Sequence, residues 1–454
     1  MSDAPYRHPL AALRARLGLS ATEYLARLDA RHRELGHGAM ATRREKVARW
    51  EAGVCAPELS AQLAMADLHD IDPTAVCELG WPDWLLLAFD DDAVLATPWT
   101  PVGTVASMTA TARGGSVDRR GFLIATGTTL TAIAADWTGS LDQVPAADAA
   151  PAAGRRRLDS ATVAHLEQRL DHLRHLDDAL GGGDLRRIAM AEFELVSKLA
   201  DETVYDESTG RQLFSTVCEA GRICGWLHFD QGLQAASQKY YLSALRASAT
   251  AGNPEVGANV LAFMAIQTYS VGDPHEAVNL VQTAQDQVRH RTTPLVRSIL
   301  HARTARAWSK TPHGRYACAR ELNAARDALG QGRRDDDPPW AYWVTEGEIE
   351  MLAGSCALDL GDPRQALKFF AAARAADYAA DGYVRDNALF LTRAADAHLA
   401  LGQINEACGI ARQAIEQNGD VDSARPSGAI ADFRKRLHPY RTIPAAREFL
   451  ELTA

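Results

Sequence analysis

The sequence predicts an all-α protein: a compact N-terminal helical domain over residues 1–85, a linker over 86–157, and a long array of paired helices over 158–454. Three observations predict it. Alternating β-branched runs are absent, while Ala, Leu, Arg, Glu and Gln recur at helical spacing. A chain of 454 residues exceeds what one hydrophobic core can organise. Gly232, Gly272, Gly314, Gly361 and Gly402 punctuate the C-terminal two-thirds at intervals of 40 to 47 residues, as repeated helix pairs require.

In the first domain, Pro9–Leu17 reads as a helix stopped by Gly18. Ser20-Ala21-Thr22-Glu23 is a capping box, in which the Ser hydroxyl accepts from an orphan amide and Glu23 reaches back. It opens a helix with Tyr24, Leu25 and Leu28 on one face. Thr42-Arg43-Arg44-Glu45 is a second such box, opening a helix that turns Val47 and Trp50 inward and ends at Gly53. A short helix that is apolar inside and basic outside suits the DNA major groove, where Arg can bond guanine through two donors. Arg43, Arg44 and Lys46 are expected on bases and Arg49 on phosphate. Thr42 and Glu45 belong to the cap, although Glu45 can also accept from cytosine. The plainer alternative is a helical bundle with a solvated Arg face.

Charge distribution agrees with a DNA-reading head. The whole chain carries −10, but residues 1–60 hold ten Arg and Lys against seven acids, and residues 61–150 hold three against twelve. Phosphate attraction follows local basic contacts, so a small basic domain on an acidic body can bind double-stranded DNA.

The linker contains Asp90-Asp91-Asp92, Gly114-Gly115 and an Ala/Pro stretch around Val144–Ala153. Asp118-Arg119-Arg120-Gly121-Phe122-Leu123 resembles a twin-arginine export signal, but it follows a folded domain and its apolar stretch is too short to span ~30 Å of hydrocarbon. A buried helix or docking segment is expected there.

The array shows a second regularity. Seven residues before each punctuating glycine sits Gly225, Ala265, Ala307, Gly354 or Ala395; five after comes Ser237, Ala277, Ala319, Ala366 or Ala407. Twelve after comes Ala244, Ala284, Arg326, Ala373 or Ala414, with Arg326 the only large residue. Small side chains let two antiparallel helices cross closely. Five helix pairs follow, with Leu158–Tyr205 an extra pair and Arg425–Ala454 a C-terminal cap. Counting back from the turns places Arg222, Trp226, Asn259, Ile266, Tyr269, His301, Thr304, Trp308, Glu348 and Asp396 near a concave inner face. Of these, Arg222, Trp226, Asn259, Tyr269, His301 and Trp308 are the candidate ligand-binding residues, as aromatic platforms with hydrogen-bonding neighbours. For Trp226 and Trp308 a role in inter-helix packing is the competing reading.

Other classes find little support. The seven cysteines never form a C-x-x-C pair, which argues against a zinc site or disulfide framework. No metal-binding H-E-x-x-H, no Gly-Lys pair for a phosphate loop and no nucleophile elbow occurs. The sequence thus points away from an enzyme, a cofactor and a metal. Met1–Leu10 holds no apolar run, so the expected location is cytoplasmic, without membrane association.

Two resemblances sharpen the reading. Val47-Ala48-Arg49-Trp50-Glu51-Ala52-Gly53 followed by Pro57, with Leu19-Ser20 upstream, resembles the λ-repressor-like (XRE-type) helix-turn-helix family. The family's usual Gln after the Ser is Ala21 here, and its tight turn is replaced by Asp29 to Met40. The glycine and small-residue pattern resembles tetratricopeptide repeats with lengthened loops, an α-solenoid. Together with Arg119-Arg120-Gly121-Phe122-Leu123 and Asp336-Asp337-Pro338-Pro339-Trp340-Ala341-Tyr342-Trp343, the chain resembles actinobacterial NsdA-like regulators of development and antibiotic production. The resemblance implies a homodimeric transcriptional regulator on paired half-sites, whose repeats bind a peptide, small-molecule or protein effector. The alternative is a tetratricopeptide scaffold that sequesters a protein partner and does not bind DNA.

Overall fold

The computed structural model describes residues 8–69, 71, 73–82, 84–85, 95, 97–113, 125–141, 156–180, 182–376, 383–418 and 423–453. Among these, regular structure is helical apart from one isolated parallel bridge between Arg157 and Val204. No described helix is long and apolar enough to cross a membrane. The Asp90–Asp92 run, the Arg119-Arg120 motif and the Val144–Ala153 stretch lie outside the described residues. Among the described residues, those up to Thr97 form one compact unit and those from Pro98 another.

The first unit contains α1 (Pro9–Arg16), α2 (Ala21–Glu34), α3 (Arg44–Glu51), α4 (Leu59–Leu68) and α5 (Pro73–Leu79). Its core gathers Leu10, Leu13, Tyr24, Leu25, Leu28, Val47, Trp50, Met65 and Trp84. Arg14 clamps α1 to α3 by donating Nε and Nη2, one edge of its guanidinium, to the two Glu51 carboxylate oxygens at 2.7 and 3.1 Å. The Ser20 capping box forms, with Glu23 N donating to Ser20 Oγ at 3.3 Å and Ser20 N to Glu23 Oε2 at 2.8 Å. The Thr42 box does not. Helix α3 begins at Arg44 with Arg43 as its N-cap and no side-chain cap, so Thr42 stands one residue too early to reach the orphan amides. The loop from Leu35 to Arg43 sets that register. It reverses through Gly36 and Gly38, at φ 79° and 84°, and is tied down by Met40 N donating to Asp29 Oδ1 (2.6 Å) and by a 2.8 Å contact of His32 Nδ1 with Gly38 O.

The second unit opens with α6 (Pro101–Arg113) and α7 (Gly127–Leu141), both inside the segment read from sequence as linker. They dock on the array. Thr104 meets Thr250 at 2.8 Å, Ser107 and Thr111 share Ser243 at 3.0 and 2.7 Å, and buried Trp137 donates Nε1 to Ser248 Oγ at 3.0 Å. Next come α8 (Ser160–Leu180) and α9 (Gly182–Glu202), the extra pair.

Five helix hairpins follow: α10 (Glu207–Asp230) with α11 (Gln234–Ala251), α12 (Pro254–Val271) with α13 (Pro274–Val288), and α14 (Pro294–Ser309) with α15 (Arg315–Leu329); then α16 (Glu346–Asp359) with α17 (Pro363–Ala375), and α18 (Val384–Ala400) with α19 (Ile404–Asn418). Helices α20 (Ala424–Leu437) and α21 (Pro444–Leu452) cover the end through Phe433, Leu437, Ala446 and Phe449. The crossing points are as tight as the small residues demand. A Cβ on Gly225 would strike the Tyr241 ring, and one on Gly354 would lie 2.5 Å from Phe370.

The third pair explains the Arg326 exception. Its turn runs from Lys310 to Gly314, and His313, at φ 63°, takes the left-handed position that Gly361 and Gly402 hold in their turns. Counted from His313, the residues five and twelve further on are Cys318 and Ala325, both buried, whereas Ala319 is exposed. Arg326 sits one residue off the packed face and pairs with Glu350 at 2.6 Å.

The repeat unit closes on itself. Helix α8 meets α18, where Asp177 and Arg385 form a 2.7 Å ion pair. Ser423 donates to Asp230 at 2.9 Å, and Tyr342 Oη donates to Asp178 while its ring stacks on His175 at 4.3 Å. An open concave groove was expected; the result is a ring.

Candidate functional site

The first helix of each pair turns one stripe toward the middle of this ring, around a cavity of about 560 Å³. Helix α10 contributes Arg222 and Trp226, α12 Asn259, Phe263, Ile266 and Tyr269, and α14 Arg303, Arg306 and Lys310. Helix α16 adds Glu348, Leu352 and Ser355, and α18 adds Arg385, Leu389 and Arg393. Spacings of three or four residues keep each set on one face. The volume lies in the range of pockets that take one drug-sized molecule.

Four of the six candidate ligand residues therefore meet in one place: Arg222, Trp226, Asn259 and Tyr269. His301 and Trp308 are not among the lining residues. His301 Nδ1 lies 2.7 Å from Glu321 Oε2, between helices, and Trp308 packs beside Ala305 and Cys318. Their displacement has the same origin as the Arg326 exception. Counting from Gly314 rather than His313 shifts the register by one residue, which rotates a helix face by about 100°. From His313, Arg303 falls ten residues back and Lys310 three, matching Arg222 before Gly232 and Tyr269 before Gly272. Of the wider set, Ile266 and Glu348 line the cavity; Thr304 is buried against Leu300 O, and Asp396 pairs with Arg436 at 2.8 Å.

Polar and aromatic groups interlock at the wall. Trp226 Nε1 donates to Asp177 at 3.0 Å, and its ring centre lies 5.2 Å from the Arg385 guanidinium and 4.7 Å from that of Arg425. Trp226 is thus both packed and half-exposed to the cavity. Burial, helped by nearby Asp386, pushes the Glu348 carboxyl up to about 8. Burial likewise raises Asp178 to about 7 against the hydrogen bond from Tyr342. Burial and the adjacent Arg306 charge bring Arg393 down to about 10. Arg385 goes well above its usual value, because Asp177, Asp230 and Asp386 outweigh its own burial.

The sequence reading missed Phe263, Arg303, Arg306, Lys310, Arg385 and Arg393 on the inner stripes themselves, and residues brought in from afar: Arg174, Asp177 and Asp178 on α8, and Tyr342 and Trp343 from the segment before α16. The Pro338-Pro339-Trp340 motif was visible, but nothing in sequence ties it to α8.

The first unit presents a different surface. Thr42, Arg43, Arg44, Glu45 and Arg49 are exposed around the start and outer face of α3, while Val47 and Trp50 are buried. Lys46 is half-buried, its Nζ 5.4 Å from the Trp50 ring centre. Arg43 and Arg44 stand at the positive end of the helix dipole, where cations are disfavoured. Arg44 Nε lies 4.0 Å from Glu45 Oε1.

No protein-family model, curated protein or solved structure matches this chain.

Proposed function

We propose that the chain is a sequence-specific DNA-binding transcriptional regulator, with a λ-repressor-like helix-turn-helix head and a tetratricopeptide-type ring that binds a small-molecule effector. The observation that carries the reading is the outer face of α3, where Arg43, Arg44 and Arg49 are solvent-facing on a helix anchored from behind by Val47 and Trp50. Exposed cations at a helix N-terminus are stabilised by an approaching anion, and a phosphate backbone with guanine edges supplies that partner. Arg43 and Arg44 would read bases and Arg49 a phosphate. Lys46, drawn toward Trp50, has the shortest reach of the four.

The ring supports the effector part. A cavity of about 560 Å³ is of the size that one small molecule fills, which supports a small-molecule effector at the inner face. A bound effector would act on the head through different affinity for two arrangements of a homodimer in the cytoplasm.

Selection of the purified full chain against random-sequence double-stranded DNA, at two salt concentrations, tests the proposal. An enriched inverted repeat is expected, with affinity falling as salt rises. Salt-sensitive retention without any enriched sequence would overturn specific recognition.

A further inference from the structure

Most cations around the ring cavity have carboxylate partners. Arg385 pairs with Asp177 at 2.7 Å, Arg174 with Glu219 at 3.1 Å, and Arg425 with Asp386 at 3.5 Å. The lobe between α14 and α18 differs. There Arg306, Lys310 and Arg393 converge on one carboxylate, Asp359, which bonds Arg306 and lies 3.2 Å from Lys310. Among the described residues Arg393 makes no hydrogen bond or ion pair, although it lines the cavity and feels the Arg306 charge. A guanidinium cannot shed its proton to escape such a position, so its charge calls for a counter-ion. Beside it the wall is apolar and aromatic: the Arg306 guanidinium lies 5.6 Å from the Tyr269 ring centre, and Ile266 and Phe263 continue the same α12 face.

Resting on the reading of the ring as an effector domain, we propose that the cavity takes an organic anion, its oxyanion group against Arg393 and Lys310 and its apolar or aromatic body against Phe263, Ile266 and Tyr269. Bidentate geometry on a partly desolvated guanidinium gives the anion its strongest contact, and the aromatic wall selects against small inorganic ions.

Two fluorophores that share an aromatic body test this: 1-anilinonaphthalene-8-sulfonate, an anion, and neutral N-phenyl-1-naphthylamine, titrated into the folded full chain. The sulfonate is expected to saturate a single site at least about tenfold more tightly than the neutral compound. Arg393→Gln and Lys310→Gln should each weaken the sulfonate about tenfold and leave the neutral compound unchanged. Should Arg393→Gln fail to fold, Lys310→Gln carries the test, because that side chain is 32% exposed. Equal binding of the two fluorophores, or sulfonate binding unchanged in Lys310→Gln, overturns the anion assignment. The DNA selection uses the chain without fluorophore, so its failure alone would remove the regulator reading and leave the anion site standing.

Discussion

Asp177 on α8 and Arg385 on α18 are 208 residues apart and form a 2.7 Å ion pair in which the side chains are 8% and 3% exposed. This pair holds the two ends of the repeat unit together. Behind it Asp230, fully buried, lies 3.8 Å from Arg385 and accepts from Ser423, and Trp226 joins the cluster through its bond to Asp177. The seam is built from charge and hydrogen bonds, which are geometrically exacting and lose most of their worth when one member is removed.

Arg385→Ala should accordingly cost about 3–5 kcal/mol, because it leaves Asp177 and Asp230 buried without their cation. Chemical denaturation monitored by circular dichroism measures the loss, and small-angle scattering should show a larger radius of gyration as the ring opens. A double change, Asp177→Asn with Arg385→Met, should recover part of that loss. Unaltered stability in Arg385→Ala would mean that the seam is held by its neighbours alone.

The repeats were legible because close helix crossing leaves a mark on the chain at fixed intervals: Gly225, Ala265, Gly354 and Ala395 are buried or would clash if enlarged. The inner face was legible where the turn was regular, which gave Trp226, Asn259 and Tyr269. It failed at His301 and Trp308, where His313 stands in for a glycine and no residue type advertises the slip. Ring closure left no local trace, since Asp177 and Arg385 look like any surface pair on amphipathic helices. Helix α6 escaped notice for another reason. Its buried side chains are Thr104, Ser107, Met108 and Thr111; the three hydroxyl residues pack on Ser243 and Thr250, and one methionine does not make the apolar periodicity that marks a docked helix.

Gly354 and Gly409, both within helices, should respond oppositely to alanine. At Gly354 the new Cβ would meet the Phe370 ring at 2.5 Å, and overpacking costs about 1–3 kcal/mol, more than the ~1 kcal/mol of helix propensity gained. Gly409, on the exposed side of α19, has nothing within 4 Å, so Gly409→Ala should stabilise by about 0.5–1 kcal/mol. Thermal melts of the two variants decide it; a shift of the same sign in both would show that crowding does not govern the crossing.

Arg44→Ala should reduce affinity for the selected operator by about 1–3 kcal/mol and relax the sequence preference at one base position. Arg49→Ala should weaken binding to all sequences alike and lower the salt dependence, as loss of a phosphate contact does. Both side chains are exposed, so neither change should lower the melting temperature. Titrations at several salt concentrations separate the two roles. If Arg44→Ala retains full affinity and preference, the recognition surface lies elsewhere.

Glu348 gives the ring a pH dependence whose sign follows from its raised carboxyl. Its folded value of about 8 lies above the unfolded value of roughly 4.3, so the fold favours the protonated, neutral form. That contribution is fully present below the unfolded value and is lost as pH rises through about 8, at up to ~1.4 kcal/mol per pH unit for a single group. Asp178 acts in the same direction over the range up to about 7. Glu348→Gln cannot ionise and keeps a neutral polar group facing the cavity. Its melting temperature should match the parent near pH 4, exceed it at pH 8, and fall less between the two. A variant that instead melted lower than the parent at pH 8 would show the native carboxylate ionised and stabilised by Arg303 and Arg425, the two cations that oppose its burial.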